Sequence, residues 1–338
     1  MEPKVLFIAN TSENFAIGSI FSRAAKSMGL TFTASDTAIS NYAPSLKTIT
    51  GRIFNRLAGK RALEWWSFNR KIVTLIKEFQ PNIVIVTGVF PLKNEVFQAS
   101  HQVNAKIVNY LTDSPWSPQN YCRAFVANLS NYDYIFSTKK AIIPELIAAR
   151  VKKVSFLPFA FDPFMHHKVE SCEINYFPDV CIIGGTDRER LKFVKSFLTT
   201  FKGTLGLYGG YWYKEKQLKP LDRGAVYGED YCRTIGNCKI NVGLIRRANR
   251  DGHSMRSFEI PACGGVGIYE DTPEHRELFQ AYPEYGFFSS FDDLAEKCNW
   301  LLEHPEELEK MRKLGIGFIV NEANTYTDRL KKILELLE

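Results

Sequence analysis

At 338 residues the chain is too long for a comfortable single core and implies two domains of ordinary size, and 45% hydrophobic with 24% charged residues marks it as globular. No N-terminal stretch joins a basic start to a long apolar run and a small-residue cleavage site, and no run approaches the ~20 apolar residues that cross a bilayer, so a soluble cytoplasmic chain is expected. The net charge of +6 suits a polyanionic small ligand such as a nucleotide diphosphate, or loose peripheral attraction to an anionic membrane, and does not by itself indicate nucleic acid.

Short apolar runs of strand length alternate with stretches of helical spacing along the chain. They fall at Val5–Ala9, 83–86, 107–111, Tyr134–Ser137 and 154–157 in the first half, and at Val180–Ile183, Leu205–Tyr208, 240–244 and 266–269 in the second. Strands alternating with helices imply parallel sheets covered on both faces, and the pattern predicts two such sheets in tandem. The first helix is expected from about Ile17 to Gly29, and another over 63–79, stopping before Pro81. The proline-rich stretch 158–178 is the candidate linker. Helices follow at 292–302, from Pro305 to about Leu314, and at 326–338. The seven cysteines (Cys122, Cys172, Cys181, Cys232, Cys238, Cys263, Cys298) are odd in number and never spaced C-x-x-C, which argues against a disulfide framework or a structural zinc and for buried, reduced thiols.

The densest group of acids, bases and small residues is Asn249-Arg250-Asp251-Gly252-His253-Ser254-Met255-Arg256-Ser257-Phe258-Glu259-Ile260-Pro261-Ala262-Cys263-Gly264-Gly265. It reads as a binding turn and short helix, then a glycine turn into a buried strand. Were Asp251 to Glu259 wholly helical, the eight-residue rise would span ~12 Å, about the distance from hexose to ribose in a nucleotide-diphosphate sugar.

This order resembles the acidic pair of retaining glycosyltransferases of the GT-B fold, E-x(7)-E before a small-residue turn and an apolar strand, with Asp251 in the first acidic place. The longer run from Arg246 to Gly265 resembles the CgeB-like, spore-maturation branch of that group. Phe156-Leu157-Pro158 with Asp162-Pro163 and His166, Ile182-Ile183-Gly184-Gly185 with Arg190, and Thr325-Tyr326-Thr327-Asp328-Arg329 extend the likeness over roughly residues 105–335. The resemblance implies an α/β protein of two Rossmann-like domains facing a cleft. Residues 1–165 would form the acceptor domain, 166–322 the nucleotide-sugar donor domain, and 323–338 a helix returning to the first. It also implies sugar transfer with retention, through front-face displacement assisted by the leaving diphosphate. The acceptor (glycan, lipid-linked or protein) stays unnamed.

On these expectations Glu259 holds the ribose and Asp251 the transferred sugar, while Arg256 and Arg246 offset charge on the departing diphosphate. A surface pair between Arg256 and Glu259 at i,i+3 is the plainer alternative. Gly184 and Gly185 follow a strand and permit close backbone approach, with Arg190 able to clamp phosphate; a simple turn explains them equally. His253 could touch sugar or phosphate, or belong only to a turn. Tyr208 at the end of its strand, Asn249, and the Gly264-Gly265 turn complete the donor set. Thr272 caps the next helix with Pro273 at its first position, and in the resembling family this loop faces the donor phosphates; capping alone explains it equally. In the first half, Asn10, Thr11 and Gly18 resemble the loop beneath the donor, and Asp113 is the one carboxylate expected to activate an acceptor, unless it only caps a turn beside Pro115. No D-x-D triplet occurs, so no metal or other cofactor is expected in catalysis. A non-catalytic nucleotide-sugar sensor or scaffold is the alternative reading. A dinucleotide-dependent enzyme is a weaker one, since no G-x-G-x-x-G follows the first strand.

Overall fold

The computed structural model describes residues 3–169 and 177–337; Cys172 and the middle of the expected linker lie outside them. The chain divides into two compact units. One runs to Phe159 and takes in Arg246–Asp251 and the stretch from Tyr326, and the other comprises Ala160–Ile245 and Gly252–Thr325.

The first unit is built on six parallel strands: β1 (Val5–Ala9), β2 (Phe32–Asp36), β3 (Ile83–Thr87), β4 (Lys106–Leu111), β5 (Tyr134–Ser137) and β6 (Val154–Phe156), in the order 2-1-3-4-5-6. β1 is wholly buried and apolar because both its faces are covered by helices. Val5 sits between Phe32 and Ile83, which sets the register of the central strands. Helix Ile17–Ser27 follows β1, and Gly18 lets it approach the strand end, since a Cβ there would stand 2.4 Å from the Asn10 carbonyl oxygen. The last helix, Tyr326–Glu335, packs on this one: the Phe21 and Tyr326 rings meet edge to face with centroids 5.5 Å apart. Arg329 donates to the carbonyls of Pro158 and Phe159 at 3.0 and 2.9 Å, tying the chain's end to the strand-side loop of the same unit.

The second unit carries five parallel strands, β7 (Val180–Ile183), β8 (Leu205–Tyr208), β9 (Ile240–Gly243), β10 (Gly267–Glu270) and β11 (Phe287–Phe288), in the order 11-10-9-7-8. Both sheets therefore start in the middle, run to one side, and reverse. That reversal lies between β1 and β3 in the first unit and between β7 and β9 in the second, and ligands of open parallel sheets bind beyond the strand ends at such a point.

Two strands escape the sequence pattern. β2 is only half-buried at a sheet edge, and β11 has two residues. Helix Pro305–Asn321 continues past the expected Leu314 through Gly315 and Gly317. Gly315 is needed for packing, because a Cβ there would meet the Tyr282 hydroxyl at 2.6 Å and Pro261 at 3.1 Å. The helix of the acidic segment covers only Arg256–Ala262, so the ~12 Å helical span from Asp251 to Glu259 does not apply. Gly252 and the residues that follow cannot start it earlier: Gly252 is pressed against Glu274, and His253 is fully buried outside the helix.

Candidate functional site

Two polar clusters form, one in each unit. In the second, β7 ends at Ile183 and the chain turns through Gly184, with φ +148°, and Gly185 into helix Arg188–Thr200. Asp187 caps this helix, accepting from the Arg190 amide at 2.8 Å. A second glycine turn backs the first. Gly209, with φ +137°, follows Tyr208 of β8, and a Cβ on it would collide with the Gly184 carbonyl at 2.5 Å. The buried Tyr208 contributes its own carbonyl, which accepts from the Gly184 amide at 2.7 Å, while Trp212 Nε1 donates to the Gly184 carbonyl at 2.9 Å. Only glycines allow this back-to-back stacking.

Two guanidinium groups converge on the turn. Arg190 Nη1 donates to the Gly185 carbonyl at 2.9 Å. A Cβ built on Gly184 would stand 3.1 Å from Arg190 Nη1 and 3.6 Å from Arg256 Nη2. Arg256 Nε is buried and has no hydrogen-bond partner among the described residues. An unmet buried donor costs ~1–3 kcal/mol, more when charged, so its retention beside a second arginine marks a place where an anion is expected. Arg256 lies against this turn and not in an ion pair with Glu259.

Glu259, one turn further along the short helix, is 7% exposed. Tyr231 donates to its Oε2 at 2.5 Å, and His166 Nε2 stands 3.7 Å from its Oε1. The Asp162 amide donates to His166 Nδ1 at 3.2 Å, which leaves the ring proton of a neutral His166 on Nε2, the nitrogen that faces the carboxylate. Burial and the neighbouring Glu259 push the Tyr231 hydroxyl well above its ordinary range, so it stays a donor.

Behind this helix lies a dry polar network. Ser257 Oγ is 2.9 Å from His275 Nε2, and His275 Nδ1 is 2.7 Å from the Glu270 carbonyl, which can only accept. The proton is therefore on Nδ1, and Ser257 donates to Nε2. Burial depresses the His275 pKa to about 4, so the ring is neutral at pH 7. His253 is fully buried with Nδ1 2.6 Å from Glu274. Thr272 accepts from the His275 amide at 3.0 Å as the cap of helix Pro273–Leu278 and donates to the Gly252 carbonyl at 2.5 Å. Gly264, with φ +76°, gives its carbonyl to Arg312, and a Cβ on Gly265 would meet Ile235 at 2.6 Å. The glycine turn thus lets helix and strand close up.

In the first unit the centre is Asn249, 7% exposed. Its Oδ1 accepts from the Ser114 amide at 3.0 Å and Asn120 Nδ2 at 2.9 Å, while its Nδ2 donates to Asp113 Oδ1 at 3.0 Å and Asp251 Oδ1 at 2.9 Å. Asp113, Asn249 and Asp251 are thereby brought together. The Asp251 carboxylate also meets Lys139 Nζ at 2.5 Å and the Arg246 amide at 3.2 Å. The Arg246 side chain is exposed. Asn10 is exposed too and folds an Asx turn, accepting from the Ser12 amide and hydroxyl at 3.0 and 2.8 Å; the Thr11 amide donates to Asp36 Oδ1 at 2.9 Å.

Lys139 and Tyr231 were not among the residues picked from the sequence. Lys139 lies two residues past the end of β5, at a carboxyl strand end, and that position is its one signal in the sequence. Tyr231 carried none: a tyrosine in the amphipathic helix Gly228–Asn237 looks like packing.

Comparison with known proteins agrees with the architecture. Residues 188–335, somewhat less than half of the chain, match the family model described as glycosyl transferase-like. No curated protein sequence matches the chain. HepE from Anabaena, solved with UDP-glucose, is similar at TM-score 0.68 and 13% identity, over 99% of each chain. A trehalose-6-phosphate synthase studied for glycosyl transfer with retention gives 0.60 at 9% identity, covering 96% of this chain and 97% of that one. A UDP-GlcNAc 2-epimerase from Neisseria meningitidis, bound to UDP-GlcNAc, gives 0.53 at 12%, over 99% and 100%. The two parallel-sheet units thus have the GT-B fold, with a glycosyltransferase-like segment that includes Arg190, Arg256 and Glu259.

Proposed function

We propose that the protein transfers a sugar from a nucleoside-diphosphate sugar to an acceptor hydroxyl, with the donor held by the second unit. The observation that carries this reading is the pair of arginines at the Gly184 turn, one of them with a buried, unmet Nε, on the same short helix as buried Glu259. Arg190 and Arg256 would take the diphosphate and Glu259 the ribose hydroxyls. As the bond between the anomeric carbon and the diphosphate oxygen breaks, the electron pair leaves on the diphosphate, where two guanidiniums are worth most. The acceptor oxygen bonds to the same face of that carbon and its proton passes to a diphosphate oxygen. The anomeric configuration is then retained, and arginines take the place of a divalent cation. The motif likeness to the CgeB-like branch supports this finer assignment. Incubation with a panel of nucleotide sugars in the presence of a chelator tests it: release of nucleoside diphosphate with transfer to an acceptor supports it, and a strict requirement for a divalent ion in the chemical step rejects its metal-free form.

One observation favours a second reading, a nucleotide-sugar-binding scaffold without turnover. Both Asp251 oxygens are engaged, by Lys139, Asn249 and the Arg246 amide, so this carboxylate is not open to a sugar. Binding of nucleotide sugars without consumption would select it.

A further inference from the structure

A surface helix of a globular protein normally turns its apolar stripe to the core. Helix Ile49–Leu57 of the first unit does the reverse. Its packed residues are Gly51, buried, and Asn55, half-buried; a Cβ on Gly51 would meet the Ser45 carbonyl at 2.0 Å, which is how closely the helix sits. Its large apolar residues are all outside: Ile49 is 69% exposed, Ile53 55%, Phe54 41% and Leu57 83%. At about 100° per residue these four fall within an arc of about 140°, roughly opposite Gly51 and Asn55. Arg52 and Arg56, both exposed, border that arc along its Ile49 side. Leu63 and Trp66, 52% and 56% exposed, follow soon after in the chain.

The local charge is equally one-sided. Across 37–77 eight lysines and arginines stand against one acid, Glu64, so this stretch carries +7 in a chain whose total is +6. Glu64 is itself occupied, accepting from the Ser45 amide and hydroxyl at 2.9 and 2.7 Å. An apolar arc facing outward, rimmed by arginine in a strongly basic stretch, has the chemistry of a helix that lies in the headgroup region of an anionic bilayer. A second copy of the chain fits it poorly, because pairing two such faces brings like charge together. A nucleic acid would use the arginines and leave Ile53, Phe54 and Leu57 in water.

We propose that this helix docks the protein on an anionic lipid surface, with Ile53, Phe54 and Leu57 entering the acyl boundary and Arg52 and Arg56 meeting lipid phosphates. The proposal is independent of the glycosyl-transfer reading, since neither its residues nor its test involves the nucleotide site.

Co-sedimentation with vesicles of phosphatidylglycerol and phosphatidylcholine in equal parts, against phosphatidylcholine alone, tests it. The parent is expected to sediment with the anionic vesicles, less so as salt rises, and to stay free of the neutral ones. Each juxtaposed lysine or arginine is worth about fivefold in partitioning, so Arg52→Gln/Arg56→Gln should lower it on the order of tenfold or more. Ile53→Ser/Leu57→Ser should lower it by a similar factor, and because these side chains are exposed, both variants should keep the parent's circular dichroism. The proposal is overturned if the parent ignores anionic vesicles, or if the apolar variant sediments with them like the parent. It is likewise overturned if the parent ignores vesicles but binds duplex nucleic acid through the two arginines, or self-associates through Leu57.

Discussion

Lys139 Nζ stands 2.5 Å from Asp251 Oδ1, with 1% of the lysine side chain and 9% of the aspartate side chain exposed. An ion pair this dry is bought with desolvation of both partners, so it adds little net stability, but removing one partner strands the other. Lys139→Met should therefore cost ~3–5 kcal/mol, and Lys139→Met/Asp251→Leu should recover most of that loss. Urea unfolding of the two variants checks it; a single-variant cost below ~1 kcal/mol would mean water reaches the pair.

The His275 ring makes stability depend on pH with a definite sign. Its pKa is depressed from 6.5 to about 4 in the fold, so the unfolded chain binds this proton first as pH falls. The stabilisation from the neutral ring is complete above about pH 6.5 and disappears progressively from there down to about pH 4, a loss of ~3 kcal/mol by linkage. Thermal unfolding across that range should show the slope, and His275→Gln should flatten it.

Gly184 tests the close approach of the arginines. A side chain is strained at φ +148°, and its Cβ would displace the Arg190 guanidinium at 3.1 Å. Gly184→Ala is expected to weaken nucleoside-diphosphate binding on the order of tenfold while leaving the fold intact, since a strained backbone position costs ~1–3 kcal/mol. Calorimetry on the folded variant measures this; unchanged affinity would place the anion elsewhere.

Glu259 and Asp251 should separate by ligand. Glu259→Gln is expected to weaken both the nucleoside diphosphate and the intact nucleotide sugar by ~1.5–3 kcal/mol, since a neutral amide accepts from ribose less strongly than a carboxylate. Asp251→Asn should leave the nucleoside diphosphate unaffected under either reading. With its oxygens held by Lys139, Asn249 and the Arg246 amide, Asp251 meets no donor group, so a fall in turnover of Asp251→Asn is expected only alongside a loss of stability of that cluster.

Much of the fold was legible because both sheets are buried on two faces, so that β1, β7 and residues 83–86 of β3 read as unbroken apolar runs. β2 was not, because an edge strand with Thr33, Ser35 and Asp36 lacks that signal. The helix at Pro305 runs past its expected end because Gly315, which looks like a stop, is there to admit Tyr282 and Pro261. At the site, the glycine turn with Arg190, Arg256 and Glu259 could be read from local order. The grouping of Asp251 with Lys139, Asn249 and Asp113 could not, since it joins segments more than a hundred residues apart and places 246–251 with the first unit. Nor could the Ser257 to His275 bond, which depends on two helices meeting.

Whether Arg256 holds a diphosphate is measured most directly by calorimetric titration of the full chain and of Arg256→Ala with uridine and guanosine diphosphates. The parent is expected to bind at least one of them and the variant to lose ~1.5–3 kcal/mol, a ten- to hundredfold drop, because a charged hydrogen-bond donor to the diphosphate has been removed. A folded parent that binds neither nucleotide, or an Arg256→Ala variant that binds as the parent does, would contradict that role for Arg256.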